Sequence, residues 1–190
     1  MTAYEKVFSD FEVRETSIKF DGATDFLKDD CVGTMELEET VRKITKKCRG
    51  TVVKNIIKHD GVITITMSLH VTWPVYLKMY GMDSTGLKAG IYAMNRFNSV
   101  RPSMLIVNHV YDEDGNEKFL AFPNCKATGS LKEKIDNGAS EVAETEVEIT
   151  ATVDDAGTSM YEALAAELTD ETVKTTWMTA WNATLVKANA

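Results

Sequence analysis

The chain has 190 residues, of which 44% are apolar and 26% charged, enough for one soluble domain with its own core. A net charge of −8 argues against nonspecific attachment to nucleic acid, because a phosphate backbone rewards clustered cations. The first ten residues lack a signal-peptide pattern, and no apolar run approaches the roughly 20 residues that cross a bilayer, so a cytosol-made protein with no membrane partner is expected.

Residues 1–32 carry no strong periodicity and are read as an N-terminal arm. From Gly33 to Lys58 the chain is β-prone: Met35 and Leu37 alternate with Glu36 and Glu38, and Val52, Val53, Ile56 and Ile57 follow Gly50. His59-Asp60-Gly61 reads as a hairpin turn, its glycine supplying the positive φ. Ile63, Ile65, Met67, Leu69 and Val71 then alternate with polar residues up to Thr72, the period of a half-buried strand. Pro74 to Tyr80 suits a short helix stopped by Gly81, and the glycines at 81, 86 and 90 punctuate a loop.

Met104 to Tyr111 predicts a strand, Asp112 to Asn116 a turn, and Lys118 to Phe122 the returning strand, with Pro102 and Pro123 at the outer ends. A second alternating strand runs over 145–153. It places Thr145, Val147, Ile149, Ala151 and Val153 on one face, and Glu144, Glu146, Glu148, Thr150 and Thr152 on the other. Residues 158–190 read as a helical C-terminal segment. Ser159 to Leu168 forms a first candidate helix. A second is capped by Thr169 or Asp170 and carries Val173, Trp177, Trp181 and Leu185 on one face. The two tryptophans are expected to anchor this segment to the core. The sum is a β-dominated α+β domain: an antiparallel sandwich or open barrel, one or two flanking helices, and a long hairpin over 41–60.

Catalytic patterns are missing. His59, His70 and His109 show no His-Glu-x-x-His or i, i+4 spacing, and Cys31, Cys48 and Cys125 show no Cys-x-x-Cys. Reduced thiols, no metal, no cofactor and no enzymatic role are the expectation. The adjacent carboxylates Asp29-Asp30, Glu38-Glu39 and Asp154-Asp155 read as solvated surface acids, since neighbours on a strand face opposite ways.

One feature stands apart. Between Val41 and His59 lie seven cations (Arg42, Lys43, Lys46, Lys47, Arg49, Lys54, Lys58) and no acid, so the rest of the chain carries −15. Three readings fit: a solvated hairpin whose charges discourage edge-to-edge pairing, a nucleic-acid patch, or a contact with an acidic surface on another copy. The nucleic-acid reading is the weakest, because no aromatic is interleaved for stacking.

The order of these pieces resembles a known family. Gly33-Thr-Met-Glu-Leu-Glu38 leads into the basic hairpin, the strand Val62 to Thr72, Val75-Tyr-Leu-Lys-Met-Tyr-Gly81 and Ala89-Gly-Ile-Tyr-Ala93. Phe122-Pro-Asn-Cys-Lys-Ala-Thr128 and Ala143-Glu-Thr-Glu-Val-Glu-Ile-Thr-Ala151 come later. This looks like the major tail (tail tube) protein of long, non-contractile-tailed bacteriophages, over roughly residues 10 to 157. The resemblance implies a virion protein, assembled in the host cytoplasm, whose hexameric rings stack head to tail into the conduit for DNA ejection. It implies tail terminator, tape measure and distal tail proteins as partners, and DNA that passes without specific binding. Carried onto this chain, it makes Arg42, Lys43, Lys46, Lys47, Arg49, Lys54 and Lys58 inter-ring contacts, and Glu36, Glu38, Glu144, Glu146 and Glu148 candidates for the lumen. The alternatives are the tube protein of a contractile or type VI-like secretion apparatus, and a monomeric β-barrel that binds a small ligand.

Overall fold

A computed structural model describes residues 7–29, 31–133, 135, 137–138 and 142–188. Its strands are β1 (Glu12–Phe20), β2 (Leu27–Asp29), β3 (Val32–Cys48), β4 (Thr51–Leu69), β5 (Met104–Tyr111), β6 (Glu117–Ala127), β7 (Thr145–Thr152) and β8 (Tyr161–Leu164). Helix α1 (Trp73–Met79) follows β4, and α2 (Glu171–Ala180) follows β8. The strands form one antiparallel sheet in the order β2-β1-β5-β6-β7-β4-β3. One edge of β6 is shared: Lys118–Ala121 pairs with β8, and Asn124–Ala127 pairs with β7. The fold is thus the expected β-dominated α+β domain, and the sheet curls until Cα atoms of β1 and β3, near its two ends, come within 8 Å.

The alternating patterns position the core. Ile63, Ile65, Met67 and Leu69 of β4 and Val147, Ile149 and Ala151 of β7 all point inward. They meet Ile18, Ile106, Phe122 and the buried side of α1, chiefly Val75, Leu77 and Met79. Helix α1 starts with a proline in its first turn and ends at Gly81, whose φ is +63. A Cβ there would lie 2.7 Å from the Val100 carbonyl oxygen, so this stop accepts only glycine.

A second cluster lies on the opposite face of β5 and β6. Val107, Phe119 and Ala121 are covered by Val173, Trp177 and Trp181. The Asp170 side chain accepts the Thr172 N–H at 2.8 Å, capping α2 as expected. Trp177 is 1% exposed, and its Nε1–H donates to the Leu120 carbonyl at 3.1 Å, so the indole's polar tip is satisfied inside the core.

The structure corrects several expectations. His59-Asp60-Gly61 is not a hairpin turn: β4 runs through it, and the turn is Arg49-Gly50, both with positive φ. Gly61 does adopt φ +81, but inside a bulge, where pairing jumps from Glu39↔Ile63 to Val41↔His59. The glycine signal reported the dihedral angle and not the kind of bend. Residues 159–168 hold the strand β8 instead of a helix, because the free edge of β6 offers them a ladder. Helix α2 ends at Ala180, leaving Trp181 as its C-cap and Leu185 beyond it, although both still pack on the second cluster.

The N-terminal segment also departs from its reading, for β1 and β2 lie within it and β1 is hydrogen-bonded along β5. Pro123 sits inside β6, where its missing N–H falls in the irregularity between Met104↔Cys125 and Ile106↔Phe122. Val71 and His70 fall past the end of β4. Residues 1–6 of the expected arm, 189–190 of the C-terminal segment, and Asp30 of the 29–30 pair lie outside the described residues.

Candidate functional site: a basic hairpin and an acidic sheet face

Strands β3 and β4 pair along their whole lengths, but β4 meets β7 only over Val62–Leu69. Beyond Val41 and His59 the two strands therefore run as a ribbon with no third strand among the described residues, about 24 Å long at about 3.4 Å per residue. All seven sequence-predicted cations lie on this ribbon and are exposed, with Arg49 at its tip. Among the described residues only Arg42 has an ion-pair partner, Asp60 at 3.7 Å.

The register sets two pairs of cations against one another. Arg42 faces Lys58 and Lys46 faces Lys54, with Ile44 and Ile56 paired between them. Like charges directly opposite across a ladder are destabilising. The ribbon also exposes Val41, Val52, Val53 and Ile57.

At its base, the ribbon is tied to the C-terminal part of the chain. His59 Nδ1 lies 2.9 Å from Glu39 Oε1, and Nε2 lies 2.8 Å from the hydroxyl of Ser159. The distances are those of a Ser-His-acid relay, but the burial runs the wrong way for a nucleophile. Ser159 is 3% exposed, whereas the carboxylate of Glu39 is the open end of the chain. A substrate cannot reach the hydroxyl. The three residues anchor the ribbon to the loop before β8.

The predicted carboxylates come together on the sheet's outer face. The rows Glu36–Thr66–Glu148, Glu38–Thr64–Thr150 and Thr34–Ser68–Glu146 cross β3, β4 and β7. Glu36, Glu38, Glu146 and Glu148 are exposed, and Glu146 pairs with Lys132. Glu144 lies just before β7, beside the Gly33 backbone. Thr and Ser stand between the acids in these rows, with Lys126 beside Thr150 and Lys132 on Glu146, so the face is polar and carries mainly acidic charge.

Sequence reasoning missed two surfaces. One is the loop over 82–103, which exposes Leu87, Ile91, Met94, Phe97 and Val100; its composition resembles a core segment, and only the structure leaves it uncovered. The other is the groove between β1 and β3, made by residues far apart in the chain. Two carboxylates serve the framework. Burial pushes Asp154 up, but bonds accepted from Thr158 N–H, Tyr161 O–H and Ala156 N–H outweigh it and hold this acid below the ordinary range. Asp112 closes the β5–β6 turn in the same way, through Asn116 and Asp114. Burial also lowers the pKa of His109, stacked on Phe119, against the opposing pull of Glu117. Among the described residues no group of three His, Cys, Asp or Glu is arranged to hold a metal.

No protein-family model and no curated protein matches the chain. Solved structures similar to it include three from tail-like assemblies. A chain of the anti-feeding prophage tube-terminating cap is 12% identical, with a TM-score of 0.47 over 86% of this chain and 97% of that one. A chain of the anti-feeding prophage baseplate is 13% identical, with a TM-score of 0.45 over 88% of this chain and all of that one. A chain of the PVC sheath–tube complex, an extracellular contractile injection system in the extended state, is 9% identical, with a TM-score of 0.45 over 81% and 91%.

Proposed function

We propose that this chain is a non-enzymatic structural subunit that assembles with copies of itself into a tube. The observation that carries the proposal is the β3–β4 ribbon. It leaves the domain, is exposed along its length except for the half-buried Ile56, and holds six cations without ion-pair partners among the described residues. A molecule that otherwise carries −15 supplies the complementary charge on its next copy. The outer edge of β3 is a further support, because no strand among the described residues pairs there and closing a sheet across subunits removes such edges. In this reading the seven hairpin cations are inter-ring contacts. The acidic face of Glu36, Glu38, Glu146 and Glu148, with Glu144 at its margin, lines a channel that repels phosphates and lets DNA slide.

Two forms of the proposal stand side by side. In one the tube belongs to a non-contractile phage tail of stacked hexameric rings, with terminator, tape measure and distal tail proteins as partners. In the other it belongs to a contractile or secretion-type apparatus and takes a sheath on its outside. The ligand-binding barrel has less support, since the interior is filled by Ile65, Ile106, Phe122 and Val75, all essentially inaccessible. Negative-stain electron microscopy over a concentration series, with the chain alone and co-expressed with its gene neighbours, tests the reading. Rings or tubes with a channel are expected, and a second protein coating them selects the contractile form. A chain that stays monomeric at every concentration sinks the tube reading.

A further inference from the structure

Both ends of the curled sheet approach one another without sharing a ladder, and a groove of about 680 Å3 lies between them. Val13, Met35, Leu120 and Met160 line it with apolar surface, and Phe11, 71% exposed, stands beside it. Four carboxylates line it as well: Asp10, Glu12, Glu36 and Glu162. Lys118 is the single lining cation, nearly buried and held by Asp10 at 2.5 Å and Glu162 at 3.2 Å, while Glu12 pairs with Arg14 outside the groove. Glu36 has no ion-pair partner among the described residues, so the groove stays acidic over an apolar floor.

We infer that this groove receives the basic hairpin of a second copy of the chain, seated head to tail. The inference rests on the tube reading and names the receptor within it. One face of the ribbon presents the Ile44–Ile56 pair between two cation pairs, Arg42–Lys58 and Lys46–Lys54. Ile44 is 41% exposed. Carboxylates around an apolar floor match that face in both respects: they relieve the like-charge repulsion across the ribbon and bury its aliphatic centre.

The acidic sheet face cannot do both, because Thr64, Thr66, Ser68 and Thr150 give it no apolar floor. Ribbon and groove also lie at different heights on one strand. Met35 and Ile44 are nine residues apart on β3, a separation of about 30 Å at about 3.3 Å per residue. Two different patches displaced along one direction allow a head-to-tail contact that repeats from copy to copy.

Charge exchange in the full-length chain tests this. Lys46→Glu with Lys54→Glu reverses the ribbon, and Glu12→Lys with Glu162→Lys reverses the groove without touching the acidic sheet face. Sedimentation velocity over a concentration series, checked by electron microscopy, should show each double reversal raising the concentration needed for assembly about tenfold or more. The combination of all four should restore it to within about threefold of the natural chain. Ile44→Ser, which changes no charge and sits on the surface, should weaken assembly in the same direction while the melting temperature holds. Groove reversal without effect, or no rescue in the combined variant, overturns the receptor assignment. So does rescue of the ribbon variant by Glu146→Lys with Glu148→Lys, which would move the receptor to the acidic face. In each of these cases tubes of the natural chain would still support the tube reading, whereas a natural chain that never assembles would sink both.

Discussion

Strands β3 and β4 are one hairpin with two characters. Near the sheet, Ile63, Ile65, Met67 and Leu69 of β4 disappear into the core and β7 covers the open side. Beyond the Gly61 bulge the same two strands keep their pairing, but Val53 and Ile57 face solvent and cations oppose cations. Backbone pairing is continuous across the boundary, while side-chain burial is not. The proximal half contributes buried side chains to the core, and the distal half is largely exposed. That separation is what a surface reserved for another molecule requires.

The comparison can be broken most forcefully from the proximal side. Ile65→Ala should cost about 2–5 kcal/mol, as expected for a fully buried aliphatic side chain, and chemical denaturation would read it directly. A cost below 1 kcal/mol would mean that the proximal half is not the foundation described here.

At the boundary, Gly61→Ala should cost about 1–2 kcal/mol, because φ is +81 and the new Cβ would sit 3.0 Å from Val153 Cγ1. Amide exchange should locate the loosening on both sides of the bulge. A loss confined to the distal half would show that the bulge is a property of the ribbon alone.

A smaller effect belongs to Asp154, whose folded pKa lies below its unfolded value near about 4. Its contribution is present above that unfolded value and lost as pH falls through the folded one. Asp154→Asn should therefore lower the melting temperature at pH 7, and the gap to the natural chain should close in acid once the pH has fallen through the folded pKa. An equal gap at both pH values would assign the effect to packing instead of charge.

The smallest effect is expected on the distal half. Lys46→Gln with Lys54→Gln should change stability by no more than about 0.5 kcal/mol, and toward greater stability at low salt, since it removes a cross-strand repulsion. A loss of several kcal/mol would show that the ribbon is integral to the fold.

What the sequence made legible was periodicity. Alternation marked β4 and β7 because each has one buried and one solvated face, and Asp170 announced α2 because a cap is a local event. Strand β8 was hidden because Tyr161–Leu164 owes its conformation to the edge of β6, about 40 residues away in the chain. Most of β1 was hidden for a similar reason: it is covered on both faces, so its pattern loses the period of two. The cations of the candidate site were visible as a block of one sign. Their pairing across the ladder, the groove, and the His59–Ser159 link depend on register and long-range contacts that composition does not encode.

The bulge at Gly61 has a mechanical side. A ribbon two strands wide is compliant in torsion and bending, and a bulge at its root is where that compliance concentrates. Small rotations at Gly61 are magnified into larger displacements at Arg49, as in any lever held at one end. A tube joined through such arms would flex by swinging its connectors while each domain keeps its shape, so its curvature would be stored in the joints and not in the domains.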